Sequence, residues 1–192
     1  MFKHTEMERQ LARQQDQLAQ AVLALTQGTA LKPILQHVGE LSRELTNARY
    51  AMISYIEDNP QERCYIPIGM SEAEMQQLDG HWPQGKGLLG LMWDQHEVVR
   101  IRDIAEHPRA SGFPPGHAAM HTFLGAPILF EDEVEGVIYL TEKADGRAFS
   151  LIDETIVRTL ASACAVAIAN VRHIAQLEAR NRELEALIAK GV

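Results

Sequence analysis

The sequence has little of what zinc-finger, membrane and nucleic-acid-binding proteins need. Its two cysteines, Cys64 and Cys164, lie far apart and form no Cys-x-x-Cys pair, which excludes a finger-type zinc site. No apolar run approaches the ~20 residues that a membrane-spanning helix requires. Acidic residues outnumber basic ones, 26 against 18, which argues against general affinity for phosphate backbones. We therefore expect a cytoplasmic protein with no nucleic-acid or membrane partner.

The overall composition is typical of a folded domain with helical extensions. Of the 192 residues, 46% are hydrophobic and 23% are charged, which excludes the disordered and low-complexity classes. Glycine and proline are absent from residues 5–27 and from 151–190, so both stretches favour helices. The pattern predicts three parts: an N-terminal signalling or dimerisation helix over 1–28, a globular domain over 29–172 and a C-terminal coiled-coil linker helix over 173–192.

Both terminal helices carry apolar residues at coiled-coil spacing. In the first helix leucines recur every seven residues, and in the last helix core positions alternate three and four apart. The predicted dimerisation residues are Leu11, Leu18, Leu25, Ile174, Leu177, Asn181, Leu184 and Ile188. A single Asn at a core position, here Asn181, typically fixes register and oligomeric state at a cost in stability. We expect a homodimer through the terminal helices, and a solvated amphipathic tail is the alternative.

The globular part mixes helical and strand periodicities. Apolar residues recur at helical spacing over 31–46, and short helices are predicted over 72–78 and 88–93. Strands are predicted over 51–56, 63–68 and 98–101, followed by a hairpin over 123–130 and 134–141. A capping box, Ser150 with Asp153, starts the long final helix. This order predicts an α+β fold with a central antiparallel sheet of about six strands, flanked by terminal helices in a dimeric bundle or coiled coil.

Three segments in this order resemble the GAF domain family. They are residues 40–50 (ELSRELTNARY), the glycine loop 85–90 (GKGLLG), and the hairpin segments 123–128 (FLGAPI) and 136–140 (GVIYL). The resemblance implies a non-enzymatic sensory module of a signal-transduction protein. A ligand would change the packing of the terminal helices, which would pass the change to an output domain, such as a histidine kinase, outside this chain.

A narrower resemblance is to the haem-binding GAF domains of DevS/DosT-type sensor histidine kinases. It rests on residues 112–120 (GFPPGHAAM), 123–125 and 139–143. It implies haem b as the cofactor, sensing O2, NO, CO or redox state, with His117 as the proximal iron ligand and Tyr139 as the distal residue. The expected apolar wall of this site consists of Met120, Phe123, Leu124 and Ile138. Prolines common in that family are replaced here by Ala118 and Ala119, which predicts a less rigid loop.

Other functions of the same fold stay open on the sequence. One alternative is a haem-free GAF domain that binds another small molecule or serves only as a dimerisation relay. A second is a GAF-type methionine sulfoxide reductase, which uses several pocket cysteines and is not favoured by two widely separated ones. No Ser/His/Asp or paired-carboxylate arrangement stands out. We therefore expect no enzymatic activity.

Overall fold

The computed structural model describes residues 12, 16, 18–20, 22, 23, 30–56, 63–78, 87–110 and 120–189. The described positions between 12 and 23 are helical. The elements that follow are α1 (Leu31–Thr46), β1 (Ala48–Tyr55), β2 (Cys64–Ile68), α2 (Glu72–Leu78), α3 (Leu91–Gln95), β3 (Val99–Ile101), a 3-10 turn (Ile104–Glu106), β4 (Phe123–Phe130), β5 (Glu133–Lys143) and α4 (Leu151–Ala189).

The strands form one antiparallel sheet in the order β2-β1-β5-β4-β3. The α+β class is confirmed, with five described strands where about six were expected. The central hairpin turns through Glu131 and Asp132, both with positive φ (49° and 67°), as a two-residue type I′ turn requires. Strand β5 runs longer than predicted, and the short helix before β3 begins at Leu91 rather than at residue 88.

One face of the sheet is covered by α1 and the first half of α4. Alternate residues of the central strands, among them Ile53, Leu124 and Ile138, are fully buried there. Small residues on α4 such as Ala161 and Cys164 allow the helix to approach the strands closely. We call this cluster the helix-side core.

The start of α4 is fixed by the predicted capping box and by an ion pair. The Asp153 carboxylate accepts hydrogen bonds from the Ser150 backbone N–H at 2.6 Å and from its hydroxyl at 2.8 Å, and the Asp153 N–H donates back to Ser150 Oγ at 3.2 Å. The same carboxylate lies 2.6 Å from Lys143 Nζ at the end of β5. Lys143 also donates to the Thr46 carbonyl oxygen at the end of α1, at 3.1 Å. One ammonium group therefore ties the sheet to both helices.

Beyond the domain, α4 continues as a single helix with an exposed apolar stripe. Side chains of Ile174, Leu177, Leu184 and Ile188 are 46 to 75% exposed, and Asn181 is exposed among them. In the N-terminal segment Leu18 is partly buried against the helix-side core, whereas Leu11 and Leu25 lie outside the described residues. Within the described part of the chain, no helix combines the length and apolarity needed to cross a lipid bilayer.

Candidate ligand-binding site

The face of the sheet opposite the helix-side core carries a second apolar cluster. We call this side of the sheet the second face. Strand alternation places Phe123, Val137 and Tyr139 there, opposite the helix-side core. Short elements cover them, since Leu91 and Met92 of α3 and Ile104 of the 3-10 turn belong to the same cluster. The two clusters are separated by the sheet backbone, so they form two independent interiors.

Gly125 makes the close packing of α3 against this face possible. A Cβ atom at this position would lie 2.9 Å from Met92 Sδ and 2.9 Å from a ring carbon of Phe123. Met92 is fully buried as a result. The glycine thus brings α3, and with it the neighbouring Trp93, down onto β4 and β5.

The hydroxyl of Tyr139 is the polar centre of the second face. Tyr139 is 4% exposed, and its oxygen receives hydrogen bonds from Trp93 Nε1 at 3.1 Å and Ser54 Oγ at 3.3 Å. The hydroxyl donates to the Leu89 carbonyl oxygen at 3.3 Å. Burial raises the pKa of Tyr139, and the hydrogen bonds from Ser54 and Trp93 oppose that rise. The group is therefore a neutral hydroxyl held in place by three elements of the fold.

A positive charge lies beside this centre. The guanidinium of Arg63, just before β2, stacks on the Trp93 ring with its central carbon 4.2 Å from the ring centroid. Tyr65, two residues on, shares the same side of β2. Burial raises the pKa of Tyr65, whereas the charge and hydrogen bond of Arg63 act in the opposite direction. We call Ser54, Arg63, Tyr65, Trp93 and Tyr139 the polar patch.

The structure brings together three of the site residues expected from the sequence. Tyr139 and Phe123 are neighbours on the second face with ring centroids 6.2 Å apart, and Met120 is partly buried against the same cluster. His117, the expected haem ligand, lies outside the described residues.

The predicted position of two residues in the apolar wall of the site is wrong. Leu124 and Ile138 are fully buried in the helix-side core, on the face opposite Tyr139. The physical reason is the two-residue period of a strand, because each is the immediate neighbour of a residue on the second face. They form no part of a pocket that contains the Tyr139 hydroxyl.

Both cysteines belong to the helix side of the sheet. Cys164 is fully buried on α4, where desolvation raises its pKa to about 12, and Cys64 packs partly buried against the same core. Neither is in the cluster that contains Tyr139. Among the described residues there is also no group of three or more His, Cys, Asp or Glu side chains placed to hold a metal ion.

Most of the polar patch was not expected from the sequence. The sequence analysis assigned no role in the site to Ser54, Arg63, Tyr65 or Trp93. For Ser54 and Tyr65 the sequence offers one indication, the polar residues within two neighbouring apolar strands. Ser54 pairs with Tyr65 across β1 and β2, and polar residues at paired positions inside an apolar sheet favour a shared buried contact. No signal in the sequence places Trp93 over this pair, since that depends on the packing of α3.

This architecture matches a known family. A family model described as the GAF domain matches residues 29–169, well over half of the chain. The chain belongs to the GAF domain family. Such domains are generally sensory or regulatory modules of signalling proteins.

Solved GAF domains share the fold at low sequence identity. The GAF domain of the phosphoenolpyruvate-protein phosphotransferase from Coxiella burnetii has 24% identity and a TM-score of 0.70, covering 85% of this chain and 96% of its own. The corresponding Acinetobacter domain has 21% identity and a TM-score of 0.70, over 84% and 96%. Free methionine-R-sulfoxide reductase from Neisseria meningitidis, solved in complex with its substrate, has 14% identity and a TM-score of 0.63, over 85% and 92%. Identities this low establish the fold alone.

Proposed function

We propose that this GAF domain is a non-enzymatic sensor that binds a small molecule on the second face and passes the change to an output domain through α4. The observation that carries the proposal is the polar patch. The hydroxyl groups of Ser54 and Tyr139 are buried and the Trp93 indole is partly buried beside them, against an apolar cluster. Mostly apolar walls with a few convergent polar groups are the composition of a small-molecule site.

The route from ligand to helix follows strand β5. Tyr139 lies on the second face, and four residues later Lys143 ends the same strand in contact with Asp153 at the start of α4. The strand cannot move far without straining this contact, because protein interiors are closely packed. A ligand that displaces the Tyr139 hydroxyl from the Leu89 carbonyl oxygen would therefore bias the position of α4.

The exposed stripe on α4 supports a homodimer as the signalling form. Ile174, Leu177, Leu184 and Ile188 form, together with Asn181, a series at alternating spacings of three and four residues, and no helix of the described chain covers them. A second copy would bury them in a parallel coiled coil, with Asn181 fixing the register. The ligand then acts by binding one arrangement of the paired helices more tightly than the other. Light scattering tests this step: a monomer at micromolar concentration contradicts it.

We propose haem b as one candidate ligand of the site. Tyr139, Met120 and Phe123 share the second face, as the narrower resemblance requires. His117 would hold the haem iron through its imidazole, and the Tyr139 hydroxyl would donate a hydrogen bond to a bound diatomic molecule in place of the Leu89 carbonyl oxygen. Haem would supply reversible binding of such a molecule. A haem-free GAF domain with another small ligand is the second candidate.

A sulfoxide reductase is not supported by the cysteine positions. Such chemistry needs thiols that reach the substrate, whereas Cys164 and Cys64 pack on the helix side of the sheet. A raised pKa also keeps Cys164 in its unreactive thiol form. Turnover of free methionine sulfoxide by the purified protein, abolished in Cys64→Ser, would replace the sensor proposal with this enzyme.

Absorption spectroscopy and ligand-induced stabilisation test the proposal together. The protein is expressed with added haem precursor, and its spectrum is compared with that of His117→Ala. A strong absorption band at about 400 nm that is lost or shifted in the variant supports haem binding with His117 as the iron ligand. Without such a band, the haem-free protein is screened against metabolites by thermal unfolding. A ligand at 100 times its Kd stabilises the fold by about 2.7 kcal/mol.

Tyr139→Phe is the control variant for the screen. It keeps the ring and removes the hydroxyl, so a ligand bound at the polar patch loses affinity while a ligand bound elsewhere does not. Stabilisation by no compound, with no haem band, rejects the sensor proposal and leaves the domain as a dimerisation relay.

A further inference from the structure

The half of α4 that packs on the sheet has a line of uncharged residues on its outward side. The members of this line, all exposed or partly exposed, are Ile152, Thr155, Thr159, Ser162, Val166 and Asn170. We call these six residues the outer line. The side chains of Ile152 and Val166 are 58% and 50% exposed, and none of the six is charged although 23% of the chain is. A helix side that faces only water normally carries charges, so this composition favours a covered side.

The hydroxyl groups of the outer line already have acceptors inside the helix. Thr155 donates to the Leu151 carbonyl oxygen and Thr159 to the Thr155 carbonyl oxygen, both at 2.9 Å. Ser162 donates to the Arg158 carbonyl oxygen at 3.0 Å. A surface that covers these residues need not supply acceptors for their hydroxyl groups, because the hydrogen bonds survive burial.

The outer line continues without a break into the exposed stripe beyond the domain. From Thr159, steps of three, four and four residues repeat along α4 through Asn170 and Leu177 to Ile188. Such an 11-residue repeat has about 3.67 residues per turn, which keeps the line on one side of a nearly straight helix. The continuous surface from Ile152 to Ile188 is ~54 Å long, whereas the stripe from Ile174 alone is ~21 Å long.

The length of this surface decides whether a helix pair has a large enough interface. For a strip ~10 Å wide, pairing the stripe alone covers roughly 400 Å² in total, and pairing the whole surface covers roughly 1,100 Å². A specific protein–protein interface needs about 1,000 Å². The stripe alone therefore falls short, and the outer line supplies the missing area.

Charges beside the stripe favour a parallel pair. Arg180 and Glu185 flank its core positions on opposite sides, at the spacing that lets Arg180 of one helix face Glu185 of a second, parallel copy. Within its own helix Arg180 has only an exposed contact with Glu183 at 3.7 Å, which a guanidinium with five N–H donors can keep. An antiparallel pair would bring the flanking carboxylates of Glu178 and Glu185 together instead.

We propose that a second copy of this chain covers the outer line, in a parallel pair of α4 helices that extends from Ile152 to Ile188. The inference rests on the homodimer of the proposed function and extends its interface from the stripe to the domain itself. A two-fold axis places Val166 against Val166 and Asn170 against Asn170, where each carboxamide can donate to and accept from its copy. Since α4 covers the side of the sheet opposite the second face, the second faces lie outside this interface.

Sedimentation equilibrium of the full chain tests the extent of the interface. Val166→Glu should weaken the dimer at least about a hundredfold, because it would bury two carboxylates against each other. Leu184→Glu should weaken it in the same way within the stripe. Ala179→Glu is the matched control, since Ala179 is exposed on the side of α4 away from Leu177, and it should leave the dimer unchanged. Circular dichroism reports that each variant is folded.

Disulfide cross-linking tests the orientation without adding a charge. The background is Cys64→Ser, in which the remaining Cys164 is fully buried. Under oxidation by copper phenanthroline, Val166→Cys and Leu184→Cys should each give a covalent dimer, because a parallel pair places each residue next to its own copy. Ala179→Cys should stay monomeric in a denaturing gel.

The outcomes separate this inference from the homodimer of the proposed function. If Leu184→Glu dissociates the dimer while Val166→Glu does not, and Val166→Cys forms no cross-link, the extended interface is overturned and the homodimer stands. A cross-link in Val166→Cys without one in Leu184→Cys overturns the parallel pairing. A wild-type chain that is monomeric at micromolar concentration overturns both.

Discussion

Removing the charge of Asp153 should destabilise the domain far more than removing the charge of an exposed carboxylate. The side chains of Asp153 and Lys143 are 8% and 12% exposed, and their charged atoms are 2.6 Å apart. Asp153→Asn keeps the shape and an oxygen that can still accept from Ser150. It leaves the Lys143 ammonium without the counter-charge that contacts it.

The structure sets the expected magnitude. Breaking a buried ion pair by removing one partner costs about 3–5 kcal/mol. Here Lys143 retains the Thr46 carbonyl oxygen as an acceptor at 3.1 Å, and the helix cap survives in part, so we expect the lower end, about 3 kcal/mol. For a chain of this length that corresponds to a fall in Tm of roughly 6–12 °C.

Urea unfolding followed by circular dichroism measures the effect, within a double-mutant cycle. Lys143→Met combined with Asp153→Asn removes both charges and should recover most of the lost stability, with a coupling energy of about 2 kcal/mol. Asp94→Asn is the control, because Asp94 of α3 is exposed and pairs with the exposed Arg109 at 3.6 Å. It should leave the unfolding midpoint unchanged.

Two results would refute this reasoning. One is a loss of unfolding free energy in Asp153→Asn no larger than that in Asp94→Asn. The other is a coupling energy below about 0.5 kcal/mol between Lys143 and Asp153, since contacting charged groups normally couple more strongly. Either would mean that the contact at the start of α4 does not hold the sheet and helix together, and the proposed signal route would lose its physical basis.

Three further predictions concern the rest of the fold. Gly136→Ala should lower the free energy of unfolding by about 1–3 kcal/mol in urea, because the new Cβ would lie 2.6 Å from a backbone oxygen of β1; an unchanged midpoint contradicts this. A hydrogen bond from Tyr50, with others from residue 71, lowers the pKa of Glu74 from 4.5 to about 2. The ionised Glu74 carboxylate therefore contributes to the free energy of unfolding above pH 4.5, and this contribution is lost as the pH falls toward 2. The difference in unfolding free energy between wild type and Glu74→Gln should shrink as the pH is lowered over that interval. In Cys64→Ser, the remaining thiol, Cys164, should react with a thiol reagent only on unfolding, and reaction in the native state contradicts its burial.

Local sequence signals predicted much of the fold. The capping box at Ser150 and Asp153 acts between residues three apart, so it can be recognised without any knowledge of the tertiary structure. The helical period over 31–46 and the acidic turn at Glu131 and Asp132 are local in the same sense. The family resemblance rested on such segments, and the match over residues 29–169 confirmed it.

The site was predicted only in part, because strand alternation groups residues without assigning them to a face. Phe123 and Leu124 are neighbours on β4, and both are almost completely buried. When both faces of a strand are covered, the sequence reads as a continuous apolar run with no visible period. The expected pocket wall therefore mixed residues from the two faces.

The sequence by itself determined the GAF architecture, the start of α4 and the apolar stripe that continues beyond the domain. Only the tertiary structure decided that Tyr139 and Phe123 face α3 while Leu124 and Ile138 face the helices. It alone also brought Arg63 and Trp93, which are 30 positions apart in the sequence, into stacking contact beside Tyr139. Caps and turns depend on neighbouring residues, whereas a binding site depends on which elements fold over one face of a sheet, and that is set by packing across the whole domain.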